Sequence, residues 1–211
     1  MSAKIHFAGE IMSEEKDKKT KPVTMKDVQA KAEEKKCPVQ QSLVFIDEFL
    51  AEPMCGRCFP CSFGSYEASI RIKKISDGTA TEEDIDRLKK ISSVMLNTSM
   101  CKKGKDTAGF LQEKLESAGF SEHIRKECNE KECTAIFEYI IIPEKCTSCG
   151  ICMDACKENA IIGKKTKPHL SGYLPFEIAQ KRCTKCGECI KVCPEGAIEF
   201  ISTGDKEPVG A

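Results

Sequence analysis

Eight cysteines spell one arrangement twice along this chain: Cys146, Cys149, Cys152 and Cys156, then Cys183, Cys186, Cys189 and Cys193. Three thiols at CxxCxxC spacing let one short loop place three sulfurs around a single small inorganic centre, while the fourth leaves on a segment that points elsewhere. The repeat reaches beyond the cysteines. It runs from Lys145-Cys146-Thr147-Ser148-Cys149-Gly150 to Glu158-Asn159-Ala160-Ile161, and again from Arg182-Cys183-Thr184-Lys185-Cys186-Gly187 to Glu195-Gly196-Ala197-Ile198. Structural zinc needs only two such pairs and leaves a third cysteine in register unexplained. The pattern therefore points to two [4Fe-4S] cubanes.

The doubled motif resembles the two-cluster ferredoxins. That resemblance implies crossed ligand sets, with Cys146, Cys149, Cys152 and Cys193 on one centre and Cys183, Cys186, Cys189 and Cys156 on the other. The first copy departs from the ferredoxin pattern by carrying Lys157 where the second has Pro194. Proline there fixes the backbone beside the remote ligand, so the change bears on rigidity or potential more than on ligation.

A third group, Cys55-Gly56-Arg57-Cys58-Phe59-Pro60-Cys61, repeats the cubane spacing without an adjacent fourth thiol. The next cysteine, Cys101, stands just past a helix that begins near Thr81, and an antiparallel helical pair can carry it back. The run from Met54 to Gly64 with Cys101 resembles the C-terminal iron-sulfur domain of the NADH-binding flavoprotein subunit of respiratory complex I. Its fusion to a two-cluster ferredoxin is similar to the beta subunit of electron-bifurcating hydrogenases and to related soluble formate dehydrogenases. The resemblance covers residues 40 to 201. It implies that Cys55, Cys58, Cys61 and Cys101 hold a third [4Fe-4S] cluster, which in the family takes electrons from a flavin.

In the family this domain follows a module that binds FMN and NAD(H) through a glycine-rich loop. The fourteen glycines here are all at least five positions apart, so no GxG is present. The FMN/NAD module is expected to be missing from this polypeptide.

Charged residues make up 31% of the chain and aromatics 6%, with no Trp, so a conventional core must be modest and bound metal must help hold it. The formal charge of zero counts ligand thiols as neutral; with twelve thiolates on three oxidised cubanes their net contribution is about −6. An acidic loaded protein with no basic, aromatic-interleaved patch disfavours nucleic acid as a partner. Met1 to Glu10 lacks a basic stretch followed by an apolar run, and the longest apolar segment, around Ala135 to Ile142, is too short to cross a bilayer. A cytoplasmic protein with no membrane partner is expected. Fifteen cysteines, an odd count without an export signal, argue against a disulfide framework.

The expected fold class is α+β, a small helical bundle carrying one cluster followed by a two-cluster ferredoxin domain. Residues 1–36 read as a charged N-terminal arm, disordered alone, that either stays solvated or wraps a partner subunit. The helical iron-sulfur domain is expected over 37–133, the ferredoxin domain over 134–201 and a tail over 202–211. Leu43, Ile46, Phe49 and Leu50 mark one helical face, and Tyr66, Ile70 and Ile75 mark another. Thr81 with Asp84 signals the cap of a helix bearing Ile85, Leu88, Ile91 and Met95; Asp106 is a candidate cap for one bearing Phe110, Leu111 and Leu115. Ala135–Ile142 and Ala197–Ile201 read as the opening and closing strands of the ferredoxin domain.

Cys37, Cys128 and Cys133 remain once three cubanes are filled, and His123 precedes Cys128 by five residues. Three thiols and an imidazole satisfy a closed tetrahedral zinc site tying the start of the bundle to its end. Free cysteines and a helix-capping His123 are the alternative. His6 and His169 read as ordinary surface histidines.

These features predict an electron-relay subunit, without a catalytic site of its own, of an anaerobic oxidoreductase complex of the hydrogenase or formate dehydrogenase kind. Its partners would include a flavoprotein subunit, with ferredoxin a further candidate. A free, diffusible polyferredoxin carrier is the alternative, and a zinc-rich interaction or nucleic-acid module is a third.

Overall fold

The computed structural model describes residues 22–164 and 174–204; the expectations for His6, His169, most of the N-terminal arm and the end of the tail lie outside them. Six helices come first: α1 Met25–Glu33, α2 Pro38–Ala51, α3 Phe59–Ser76, α4 Glu82–Thr98, α5 Lys102–Leu115 and α6 Ala118–Ile124. A smaller unit follows, with β1 Phe137–Ile141, α7 Ile151–Ala155, β2 Ile161–Ile162, β3 Glu177–Ile178, α8 Glu188–Val192 and β4 Ile198–Ser202. The order is a helical bundle and then a short-stranded domain, as the α+β expectation has it.

Within the bundle two apolar layers form. One gathers Val39 and Ile46 of α2, Ala68, Ile72 and Ile75 of α3, Leu88 of α4, Leu111 of α5 and Phe120 of α6. The other joins Val28 and Ala32 of α1 to Phe45, Phe49 and Phe110, with the Phe45 and Phe110 rings stacked 4.0 Å apart. Cys58 and Cys61 belong to this second layer, so packing seats two sulfurs of the third group against hydrocarbon.

Part of the charged arm departs from its expectation. Thr24 and Asp27 form a reciprocal capping box, Val28 and Ala32 are fully buried on α2, and Lys31 pairs with Glu48 at 2.7 Å. Two small residues one turn apart are enough to seat α1, which is why a count of large apolar residues overlooks it. Another correction concerns α3. Tyr66 and Ile70 face solvent, at 62% and 40% exposure, and the buried stripe is Gly64, Ala68, Ile72 and Ile75. Small residues again set the close face, since a Cβ on Gly64 would lie 2.6 Å from the Met95 side chain of α4.

The Thr81–Asp84 capping box of α4 is present. Asp106, by contrast, lies inside α5, whose N-cap is Cys101.

In the second unit β1 runs antiparallel to β4, with Phe137 opposite Ser202 and Ile141 opposite Ile198, and β2 pairs antiparallel with β3. Phe137, Tyr139, Ile161, Phe176 and Ile198 are its buried hydrophobic residues. The two units meet where Ile136 packs into the bundle core and Ser202 Oγ donates to the Lys126 carbonyl at 2.9 Å. Among the described residues no helix is long and apolar enough to cross a membrane.

Candidate metal centres

The cysteine repeat is also a repeat of backbone geometry. Ser148 and Lys185 both adopt left-handed φ, 53° and 58°, as do Gly150 and Gly187 at 87° and 75° and Asn159 and Gly196 at 49° and 57°. The two repeats thus turn at the same places, and glycine follows the second cysteine because its left-handed turn leads directly into α7 or α8. Equivalent contacts hold the remote thiols: Cys156 Sγ accepts the Ala160 N–H at 3.3 Å, and Cys193 Sγ accepts the Ala197 N–H at 3.3 Å.

The chain brings these thiols together in the crossed order. A cavity of about 430 Å³ is lined by Cys183, Cys186, Cys189 and Cys156, with Tyr139 and Lys157 at its wall. A tighter cavity is lined by Cys146, Cys149, Cys152 and Cys193, with Phe176 and Ile198 beside them. Burial pushes the Cys152 thiol up to about 11, and the charges that add to the effect are those of Cys193, Cys149 and Cys146. Cys189 is raised first by burial and then by Cys183 and Cys186. Cys149 and Cys186 are exposed, so each site has one sulfur at the surface.

The third group assembles across the bundle. Cys55 precedes α3, Cys58 caps it, Cys61 lies in its first turn, and α4 returns the chain so that Cys101 caps α5. Cys61 is pushed up to about 11, first by burial and then by the charges of Cys58, Cys101 and Cys55. The Met100 N–H holds Cys58 below the ordinary thiol range. Cys55 is exposed, and Phe59 and Met100 are 73% and 84% exposed.

Cys37, His123, Cys128 and Cys133 form a fourth group, with all four ligand atoms within 4.8 Å of one another. His123 Nε2 lies 3.1 Å from Cys133 Sγ and 3.4 Å from Cys37 Sγ, and the two sulfurs are 3.8 Å apart. A tetrahedral ion with ligand bonds of about 2.0–2.3 Å requires edges of about 3.3–3.8 Å, so three thiols and an imidazole suit zinc in chemistry and the three edges among Cys37, His123 and Cys133 lie close to that range. Cys37, Cys133 and His123 are buried and Cys128 half-buried. Burial works against charge on His123, but the Cys128 and Cys133 sulfurs outweigh it and raise the imidazole to about 10. Hydrogen bonds from Cys133 and Cys37 lower Cys128, whereas hydrogen bonding to Cys128 raises Cys37.

Outer contacts hold these ligands, and no sequence pattern singles them out. The Gly119 carbonyl engages His123 Nδ1 at 2.6 Å, Gln40 Nε2 donates to Cys133 Sγ at 3.2 Å, and Glu132 accepts the Cys37 N–H at 3.0 Å. They come from α6, α2 and the loop before Cys133, with no motif linking them.

Four-thiol sites of this kind define an iron-sulfur protein, and comparison with known families agrees. Residues 41–126 match the NADH-ubiquinone oxidoreductase-F iron-sulfur binding region, and residues 145–198 match the 4Fe-4S dicluster domain. The first span contains Cys55, Cys58, Cys61, Cys101 and His123, and the second contains all eight repeated cysteines. The chain thus combines a complex I-type iron-sulfur region with a dicluster ferredoxin domain, as its motifs imply.

Among curated proteins it is similar to the NADP-reducing hydrogenase subunit HndC of Solidesulfovibrio fructosivorans, at 33% identity over 65% of this chain and 28% of the relative. It is also similar to the F subunit of the NADH-quinone oxidoreductase of Aquifex aeolicus, at 31% identity over 37% of this chain and 18% of the relative. The chain thus spans less than a third of the length of either.

Proposed function

We propose that this protein is an electron-relay subunit of a multisubunit oxidoreductase, passing electrons between a flavin- and NAD(P)-binding subunit and other redox subunits. The observation that supports the reading is that two cavities are each lined by four thiols in the crossed order, while Cys58 and Cys61 pack in the bundle with Cys101 at the start of α5. In this reading Cys55, Cys58, Cys61 and Cys101 hold one [4Fe-4S] cluster, and the two crossed sets hold the other two. Each cluster would supply one-electron redox chemistry, while the chain supplies its thiolate ligands, burial and N–H donors.

The surface beside the third site supports docking rather than free diffusion. Phe59, next to Cys58, and Met100, next to Cys101, are both exposed large side chains. Aromatic residues and methionine are enriched at protein interfaces. Both relatives are also named as subunits, one of a hydrogenase and one of an NADH-quinone oxidoreductase. A hydrogenase-type or formate dehydrogenase-type complex, working anaerobically in the cytoplasm and including electron-bifurcating forms, is the setting this reading favours.

Zinc at Cys37, His123, Cys128 and Cys133 completes the proposal. It has no redox chemistry and would act as a clasp between the start of α2, the end of α6 and the segment leading into β1.

Anaerobic native purification tests the reading. A stable complex of fixed stoichiometry with a flavoprotein supports it; a lone protein that exchanges electrons only by collision would instead identify a diffusible polyferredoxin.

A further inference from the structure

Ser99 closes α4 two residues before Cys101, its N–H donating to the Met95 carbonyl at 3.0 Å. The residue is 4% exposed. Its hydroxyl nevertheless has no hydrogen-bond partner among the described residues. A buried hydroxyl is seldom left so, because its lost hydration is then uncompensated.

Gly104, in the first turn of α5, offers no side chain, and a Cβ placed on it would lie 2.8 Å from Ser99 Oγ and 3.1 Å from Cys61 Sγ. The hydroxyl and the thiol therefore border the same space, which the bare backbone of Gly104 leaves open. We infer that Ser99 is a positioning residue for the third cluster, donating its O–H to that cluster's sulfur shell and raising its reduction potential. The inference rests on the reading that Cys55, Cys58, Cys61 and Cys101 hold a cluster.

The direction follows from charge. One-electron reduction adds negative charge that is shared with the sulfurs, so a fixed O–H donor stabilises the reduced state more than the oxidised state. Backbone donors serve all three sites, with the Met100 N–H at Cys58 and the Ala160 and Ala197 N–H groups at Cys156 and Cys193. Those donors belong to every residue type, whereas the donor at Ser99 is set by its side chain.

The test uses the full chain, purified anaerobically, with iron counted and each cluster's potential read by spectroscopically monitored redox titration. Ser99→Ala should keep wild-type iron and lower one potential out of three, shifting the reduced-to-oxidised ratio at fixed poise by up to about tenfold, or about 59 mV for a one-electron couple. Ser99→Thr, which keeps the hydroxyl, should hold that potential near wild type. Ser99→Val matches threonine in shape without the hydroxyl, so this pair decides the matter even if the alanine variant loads poorly. Equal potentials in the threonine and valine variants, at full iron, would overturn the role of Ser99. Wild-type iron near eight per chain would remove the third cluster itself, and Ser99's role with it.

Discussion

The Gly119 carbonyl lies 2.6 Å from Nδ1 of His123, one turn further along α6, and this contact leaves Nε2 facing the Cys37 and Cys133 sulfurs. A backbone carbonyl accepts and never donates, so it holds the proton on Nδ1 and keeps Nε2 as the ligand atom. Gly119 also sits against Pro38, whose ring carbon would lie 2.9 Å from any Cβ placed there. The geometry joins the α2 and α6 ends of the proposed clasp.

One zinc per chain, in addition to iron, is therefore expected by elemental analysis. Cys133→Ser should lower zinc while iron stays near the wild-type level. Iron with no zinc in the unaltered protein would sink the site, and a parallel loss of both metals would mean that these cysteines serve a cluster.

The crossed cavities make a separate prediction. Cys156 shares a cavity with Cys183, Cys186 and Cys189 rather than with its own motif. Cys156→Ala should damage the second centre and spare the first in cluster-resolved spectra; damage confined to the centre of Cys146, Cys149 and Cys152 would mean that each motif closes on itself.

Iron should reach about twelve per chain in anaerobically prepared protein, with matching sulfide. Cys101→Ser should remove or destabilise only the third centre, so its iron is expected to fall toward about eight while the ferredoxin-type signals persist. Unchanged iron and spectra would show that Cys101 is not a ligand.

Asp84 offers a stability test away from any metal ligand. Its carboxylate accepts the Thr81 N–H at 3.1 Å and faces Arg71 at 2.5 Å. Burial opposes its charge, but Thr81 and Arg71 outweigh it and hold the carboxyl below its ordinary value. Asp84→Asn should cost about 1–2 kcal/mol of bundle stability at neutral pH. Because the folded pKa is depressed, this stabilisation is fully present above the unfolded value and lost as pH falls through the folded one. Thermal unfolding followed by helical circular dichroism should show the gap between wild type and variant narrowing below about pH 4. A gap that stays constant, or widens in acid, would contradict the assignment.

Much of the site could be read directly because cluster ligation obliges residues to appear at fixed intervals. The three CxxCxxC runs, their domain order and the Thr81–Asp84 cap all have local signatures, and β1 and β4 fall within a residue or two of their expected spans. Faces built from small residues are harder to read. Hydropathy marks Tyr66 and Ile70 on α3, but contact is made where Gly64 and Ala68 let another helix approach, and bulky neighbours are left outside. The same physics hides α1, whose packing depends on Val28 and Ala32. The contacts of Gln40, Ser99 and Gly119 arise only on folding, since each partner is contributed by a different stretch of chain or turn of helix.

The paired exchange of Cys156 and Cys193 also bears on how the protein is made. The two cavities differ in when their walls are made: the Cys183 loop finds Cys156 already synthesised, whereas the Cys146 loop must wait for Cys193. A ribosome that has released only the first loop presents three sulfurs and an opening. On this arrangement a chain that stops short of Cys193 can assemble the wall of the Cys183 cavity but not that of the Cys146 cavity, so the first motif in sequence would be the last to be completed.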